Sequence, residues 1–471
     1  MIWVVILTML FFIVIGYAVT TRSRGYEDYI LGGRRVGWLL LAGSLAATDI
    51  GAGVTVGVVQ NAASGKGLGA AWLIWMMIPS YLVGGLLGPK LRKSEAKTIP
   101  EFFTKRYGRS SGLIAALMMI VPTLGVVAVN LTVSAHVFTA ITGIPEIWSL
   151  VVGTSVTIVY TYAGGMWADV ITDAFQIFFI IFGMVLILIG FHFFHQPVSS
   201  VLSTQPDVLG TLWNPSRAWE LPALFLLYTA NFLVGLSTVT RIYAARDVQT
   251  VRKGIFACLP VYLLYGTCLG LIGLYVGTFS NPNENSPLND TDIISILLNN
   301  LPLWMTGGFL VAVIAAMLST VDTLLLGAAT ILTNDIGAPL FGRVDDDNWK
   351  VRATKRIVPI LGVVGAFISW LAVENVLAAL FFILTLQTCA LFAPFVLGHF
   401  QAKAGSAACN FAIIVTAVLF CVLQASLTSE LSLLPFVIAI GANIVLYSLA
   451  GLLMPTCTPT RPPSVPSETA N

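Results

Sequence analysis

Thirteen apolar runs, each close to a bilayer in length, follow one another along the chain, and no other feature constrains its fold as much. They cover residues 2–20, 37–58, 68–88, 111–140, 146–163, 168–194, 219–240, 253–278, 303–333, 356–373, 375–398, 406–425 and 432–454. About 20 consecutive apolar residues span the hydrocarbon core as a helix. Lipid offers no partner to a free peptide group, so a spanning segment is either a helix or part of a closed barrel, and these runs are too long for barrel strands. Charged residues make up only 10% of the 471 residues, against roughly 25% in soluble domains, too few to cover a surface that faces water. A soluble enzyme, a disordered chain and a fibrous repeat are excluded together. The expectation is an all-α integral membrane protein with about 13 transmembrane helices. Residues 1–454 would form one transmembrane domain, and the Pro/Thr/Ser-rich stretch 455–471 a disordered cytoplasmic tail. The opening run has no basic residue before it and the length of a full span, so it is expected to be a retained helix rather than a secretory signal.

The basic residues set an orientation. With the N-terminus outside, all but Lys66 and Arg217 of the 24 Lys and Arg fall in cytoplasmic segments, Arg241 and Arg246 among them. That asymmetry is the positive-inside pattern, and it predicts a cytoplasmic C-terminus in a multi-pass inner (cell) membrane protein. The net charge of +2 carries no nucleic-acid signal. Cys258, Cys268, Cys389, Cys409, Cys421 and Cys457 show no metal or redox spacing and read as small hydrophobes. The four histidines are scattered, and no phosphate-binding GxxxxGK[ST] loop is present, so transition-metal chemistry and nucleotide-driven pumping are not expected.

Acids inside the membrane point to function. An Asp at mid-membrane costs about 2.5–3.5 kcal/mol on insertion scales, so each is a candidate site. Asp49, Asp173 and Asp322 qualify. Asp49 sits among Gly43, Gly51, Gly53 and Gly57. Glycines destabilise a helix interior by about 1 kcal/mol each, so this span is expected to unwind and free carbonyl oxygens for an alkali cation. Close helix packing would explain the glycines alone, but not the acid. In the ninth run Ala316, Ser319, Thr320 and Thr323 recur at i, i+3, i+4 and i+7, one helical face, with Asp322 about 60° from Ser319 at 100° per residue. Hydroxyls bonding to their own i−4 carbonyls are the alternative for this stripe.

These residues resemble the sodium/solute symporters. The likeness runs from about residue 26 to about residue 400, through YILGGRRVGWLLLAGSLAATDIGAG, TIPEFFTKRYG, YTYAGGMWADVITDAFQ, TRIYAARDVQTVRKG and AAMLSTVDTLLLGAATILTNDI. The resemblance implies a LeuT-type fold: two inverted five-helix repeats, about 37–194 and 219–398, with one helix added in front and two behind. Runs 37–58 and 219–240 would be broken helices. It also implies a principal sodium site on the carbonyls of Ala47 and Ile50 and on Ala316, Ser319 and Thr320. Asp49, Asp173, Asp322 and Thr323 would serve a second cation or the coupling. Asp322 stands where other members carry a hydroxyl, so a second sodium and a shared proton both remain open there.

The solute is expected between the broken helices, against Gly53, Val54, Thr55, Trp72, Trp75, Asn130, Asn231 and Phe381. Small and aromatic walls suit a compact amino acid, a betaine or choline-like cation, or a short carboxylate rather than a sugar. The expected function is sodium-coupled import of a small polar or zwitterionic solute by alternating access, not enzymatic catalysis. The expected partners are that solute, Na+ and the bilayer, with no nucleic acid. Two alternatives are a proton-coupled carrier and a membrane solute receptor. No kinase or receiver extension follows the last run, which favours transport over signalling.

Overall fold

A computed structural model describes residues 2–20, 25–204, 219–279, 290–372, 376–399, 404–427 and 433–453. Arg22, Arg24, Arg217, Lys403, Cys457 and Arg461, like the tail, lie outside these residues. Every apolar run is helical over most of its described length, and the described residues form no strand beyond an isolated bridge between Val36 and Ala245.

The span count differs from expectation. Among the described residues nine helical stretches are long and apolar enough to cross a membrane, with one bent pair as a tenth. Thirteen spans are not confirmed: the run at 37–58 divides and its second half leads directly into the next, and helices Ile2–Thr20 and Glu146–Ala163 fall outside the ten. Helix Trp38–Asp49 stops at Ile50 (φ −93°, ψ 66°), Gly51 is extended, and a second helix covers Ala52–Asn61. Beyond Asn61 the chain passes through short turns of helix before Met77–Arg92. Gly65 (φ +97°) and Gly67 (φ +51°) take backbone conformations that a side chain disfavours.

The run at 219–240 is the bent pair. Glu220–Val234 and Leu236–Ala244 meet at Gly235, in extended conformation, at 48°. Both expected breaks are present, each at a glycine.

Helix Leu303–Ile331 passes through the middle of the molecule and is buried all round, as a helix with apolar residues on every face requires. Met166–Phe194 lies against it at close range. A Cβ on Gly183 would fall 2.4 Å from the Gly308 carbonyl oxygen, so small residues set this spacing, as in other membrane interfaces. Gly183→Ala is therefore expected to cost about 1–3 kcal/mol through overpacking, seen as a lower unfolding temperature in detergent. An unchanged temperature would show that the two helices can separate freely.

The N-terminal end of the first broken helix and the C-terminal end of the second are tied together. Val36 N–H donates to the Ala244 carbonyl and Arg246 N–H to the Val36 carbonyl. The Arg34 guanidinium reaches the Tyr243, Glu95 and Ala96 carbonyls, and Arg92 Nε the Ala245 carbonyl.

Candidate cation sites and solute cavity

The break at Ile50 releases the last carbonyls of Trp38–Asp49 from helical bonding. Helix Leu303–Ile331 presents hydroxyls to them. Ser319 Oγ lies 2.9 Å from the Ala47 carbonyl oxygen and 3.0 Å from that of Ala316. Thr320 Oγ1 lies 3.0 Å from the Thr48 carbonyl oxygen and 3.1 Å from that of Ala316. Ala47, Ala316, Ser319 and Thr320 thus converge, and buried Ile50 marks the end of the half-helix. Hard oxygens of carbonyls and hydroxyls are the donor set a small alkali cation accepts. A side chain at Gly51 would crowd it: a Cβ there would lie 3.2 Å from both Thr320 Oγ1 and Asn130 Oδ1.

A second group of oxygens lies one turn further along the same helix. One carboxylate oxygen each of Asp169, Asp173 and Asp322 lies within 4.8 Å of the others, so the expected neighbours Asp173 and Asp322 do meet. Thr323 Oγ1 donates to Asp169 Oδ1 or to the Ser319 carbonyl (2.8 and 3.0 Å), which links this cluster to the hydroxyl stripe. Asp322 Oδ1 accepts the Thr323 backbone N–H at 2.7 Å.

Sequence reasoning missed two members of this cluster. Asp169 stands four residues before Asp173 on the same helix face, a spacing that could have revealed it. Arg241 was counted among the cytoplasmic loop charges, and the structure corrects this. It lies on Leu236–Ala244 with 0% of its side chain exposed. Nη2 lies 2.7 Å from Asp173 Oδ2, 3.3 Å from Asp169 Oδ2 and 2.6 Å from Thr323 Oγ1. Nε donates to Ser44 Oγ, which donates in turn to Asp173 Oδ2. The chain continues buried for another turn after Thr240, so the charge meets acids instead of water.

Asp49 stands apart from this cluster. Its carboxylate accepts the Tyr262 hydroxyl at 3.1 Å and lines a cavity of about 110 Å³ between the broken helices. Gly53, Val54, Asn130, Asn231 and Phe381 line the same cavity, as expected, with Tyr81, Tyr228, Phe232, Ser237 and Gln387 in addition. Three expected wall residues are absent from it. Thr55 is buried, bonded to the Gly51 carbonyl and the Tyr265 hydroxyl. Trp72 and Trp75 pack edge to face, with Trp75 Nε1 on the Leu263 carbonyl. The turns at 62–71 rotate this pair away from the cavity. Asn130 braces the break rather than standing free: its Oδ1 accepts the Ala52 N–H and its amide donates to the Val126 carbonyl.

Among the described residues that line the cavity, Asp49 is the one acid, and none is a Lys, Arg or His. The N-terminal turn of Leu236–Ala244 borders the cavity as well, and its free N–H groups favour negative charge. One wall therefore suits a positive group and another a negative one.

The sequence profile of the sodium:solute symporter family matches residues 29–415. The chain is 28% identical over 428 residues to the sodium/pantothenate symporter of Escherichia coli (strain K12), covering 86% of each chain. It is 27% identical over 382 residues to the osmoregulated proline transporter OpuE of Bacillus subtilis (strain 168), covering 76% of this chain and 75% of the relative. The fold is similar to a Na+-coupled sialic acid symporter solved in a substrate-bound, outward-open state, with TM-score 0.83, 18% identity and 96% of both chains covered.

Proposed function

The chain belongs to the sodium:solute symporter family, a multi-pass membrane transporter of LeuT-type fold and not an enzyme, and from that premise we propose how it couples sodium to solute. Sodium-driven symport of a small solute is the function of the family. We assign the principal sodium seat to the Ala47 and Ile50 carbonyls with Ala316, Ser319 and Thr320. The observation that carries this assignment is the bridge of two hydroxyls from Leu303–Ile331 to the carbonyls of Ala47 and Thr48. Sodium on these oxygens would hold the first broken helix against Leu303–Ile331 and fix the cavity wall formed by Thr48, Asp49 and Gly51. Loss of sodium to the cell interior would loosen that wall and release the solute.

The solute is a compact zwitterion or other small polar molecule. The cavity is somewhat smaller than the roughly 150 Å³ void that holds benzene, its walls are largely aliphatic and aromatic, and its ionisable group is a carboxylate. A purely anionic solute would meet Asp49 without a compensating base among the described lining residues. Among the solutes of similar proteins, this favours the proline type over the pantothenate type. The import direction, an N-terminus outside and a cytoplasmic C-terminus belong to the same proposal. They rest on the asymmetry of basic residues, which survives the transfer of Arg241 into the core. We place the inverted repeats at about 37–194 and 219–398, each opening on a broken helix.

A thermal-shift screen with and without sodium tests the reading, using L-proline, glycine betaine, choline, pantothenate and glucose. Stabilisation by a zwitterion that requires sodium is expected. Equal stabilisation in sodium-free buffer, or a response to pantothenate alone, would contradict it. With the responding solute, Asp49→Asn should raise its half-saturating concentration several-fold while leaving the sodium-free unfolding temperature within about 2 °C, since Tyr262 can still bond an amide. Unchanged solute affinity with a lower unfolding temperature would make Asp49 a structural residue.

A further inference from the structure

We propose that the Arg241 guanidinium takes the place of a second coupling cation, so that one sodium ion accompanies each solute. The inference rests on the sodium seat assigned above and concerns the neighbouring acidic cluster. A second cation there would use oxygens of Asp173, Asp322 and Thr323, with Asp169 beside them. One nitrogen of Arg241 already stands among these oxygens, within hydrogen-bonding distance of Asp173, Asp169 and Thr323. A metal ion on the same oxygens would have to displace that nitrogen or share the seat with a like charge, which buried sites do not tolerate.

The guanidinium is also fixed in place. Nε is spent on Ser44 of the first broken helix and Nη1 on the Ser237 carbonyl, 3.3 Å away in its own half-helix. It carries no exposed surface. Arginine keeps its charge throughout the accessible pH range, so this cation is permanent and tethered, and it leaves the acids only if Leu236–Ala244 moves. The cluster adjoins the principal sodium seat, since Thr48 Oγ1 and Thr323 Oγ1 both lie within reach of the Ser319 carbonyl. Through Arg241 it holds the second half-helix to the same helix that carries that seat.

The test is the number of sodium ions bound by the purified full-length chain in detergent, measured by 22Na+ saturation in a scintillation proximity assay without solute. One ion per chain with a Hill coefficient near 1 is expected. The double variant Arg241→Gln/Asp169→Asn removes one charge of each sign, leaves the net charge unchanged and opens the seat. It should bind two ions with a Hill coefficient above 1. Arg241→Lys, which keeps a tethered charge, should remain at one. Two ions in the unmodified chain would overturn the proposal, as would two in Arg241→Lys, or one in a folded double variant. No saturable 22Na+ binding to the unmodified chain would instead overturn the assignment of the principal sodium seat.

Discussion

Replacing Ser319 and Thr320 together by alanine is expected to raise the sodium concentration for half-maximal binding at least tenfold, about 1.4 kcal/mol or more. Two hydroxyl oxygens are lost from the proposed seat, and the Ala47 and Thr48 carbonyls lose their donors from Leu303–Ile331. The single variants should fall between, since each hydroxyl also reaches the Ala316 carbonyl of its own helix. Sodium-dependent protection against thermal unfolding measures this directly in the purified protein. A double variant whose sodium dependence matches the parent would move the sodium seat elsewhere.

Removing the charge of Arg241 should have the largest effect on stability. Breaking a buried ion pair by deleting one partner typically costs about 3–5 kcal/mol, because the other charge stays buried and unpaired. Arg241→Gln leaves Asp169 and Asp173 in that position. The expected result is a sharply reduced yield of monodisperse protein and a lower unfolding temperature. Adding Asp173→Asn should recover part of the loss, because it removes an orphaned charge. If Arg241→Gln and Asp173→Asn destabilise independently and their effects simply add, the pair is not coupled.

Much of this arrangement was legible in the sequence, for identifiable physical reasons. Glycine beside a membrane-buried acid marked the first break, and the helix does stop between Asp49 and Gly51. The spacing of Ala316, Ser319, Thr320 and Thr323 placed their oxygens on one face, which meets the freed carbonyls. Asp322, on the edge of that face, turned toward the second acidic group. What stayed hidden depended on tertiary contacts. Positive-inside counting treats each base near the end of a run as a loop residue, so Arg241 was assigned to water. Only the packing of Leu236–Ala244 against Ser44, Asp169 and Asp173 reveals it as a core residue. Trp72 and Trp75 look like pocket walls in a continuous helix, but the turns around Gly65 and Gly67 redirect them. Thr55 lies on the helix that borders the cavity, yet its hydroxyl faces Tyr265.

The central claim is that sodium, bound between the first broken helix and Leu303–Ile331, drives solute accumulation. Uptake of radiolabelled L-proline, or of the zwitterion selected by the thermal-shift screen, into proteoliposomes under separately imposed sodium and proton gradients tests it most directly. The account predicts accumulation with an inward sodium gradient, abolished by a sodium ionophore and strongly reduced in Ser319→Ala/Thr320→Ala. Accumulation driven by a proton gradient in sodium-free buffer, with the double variant fully active, would contradict it.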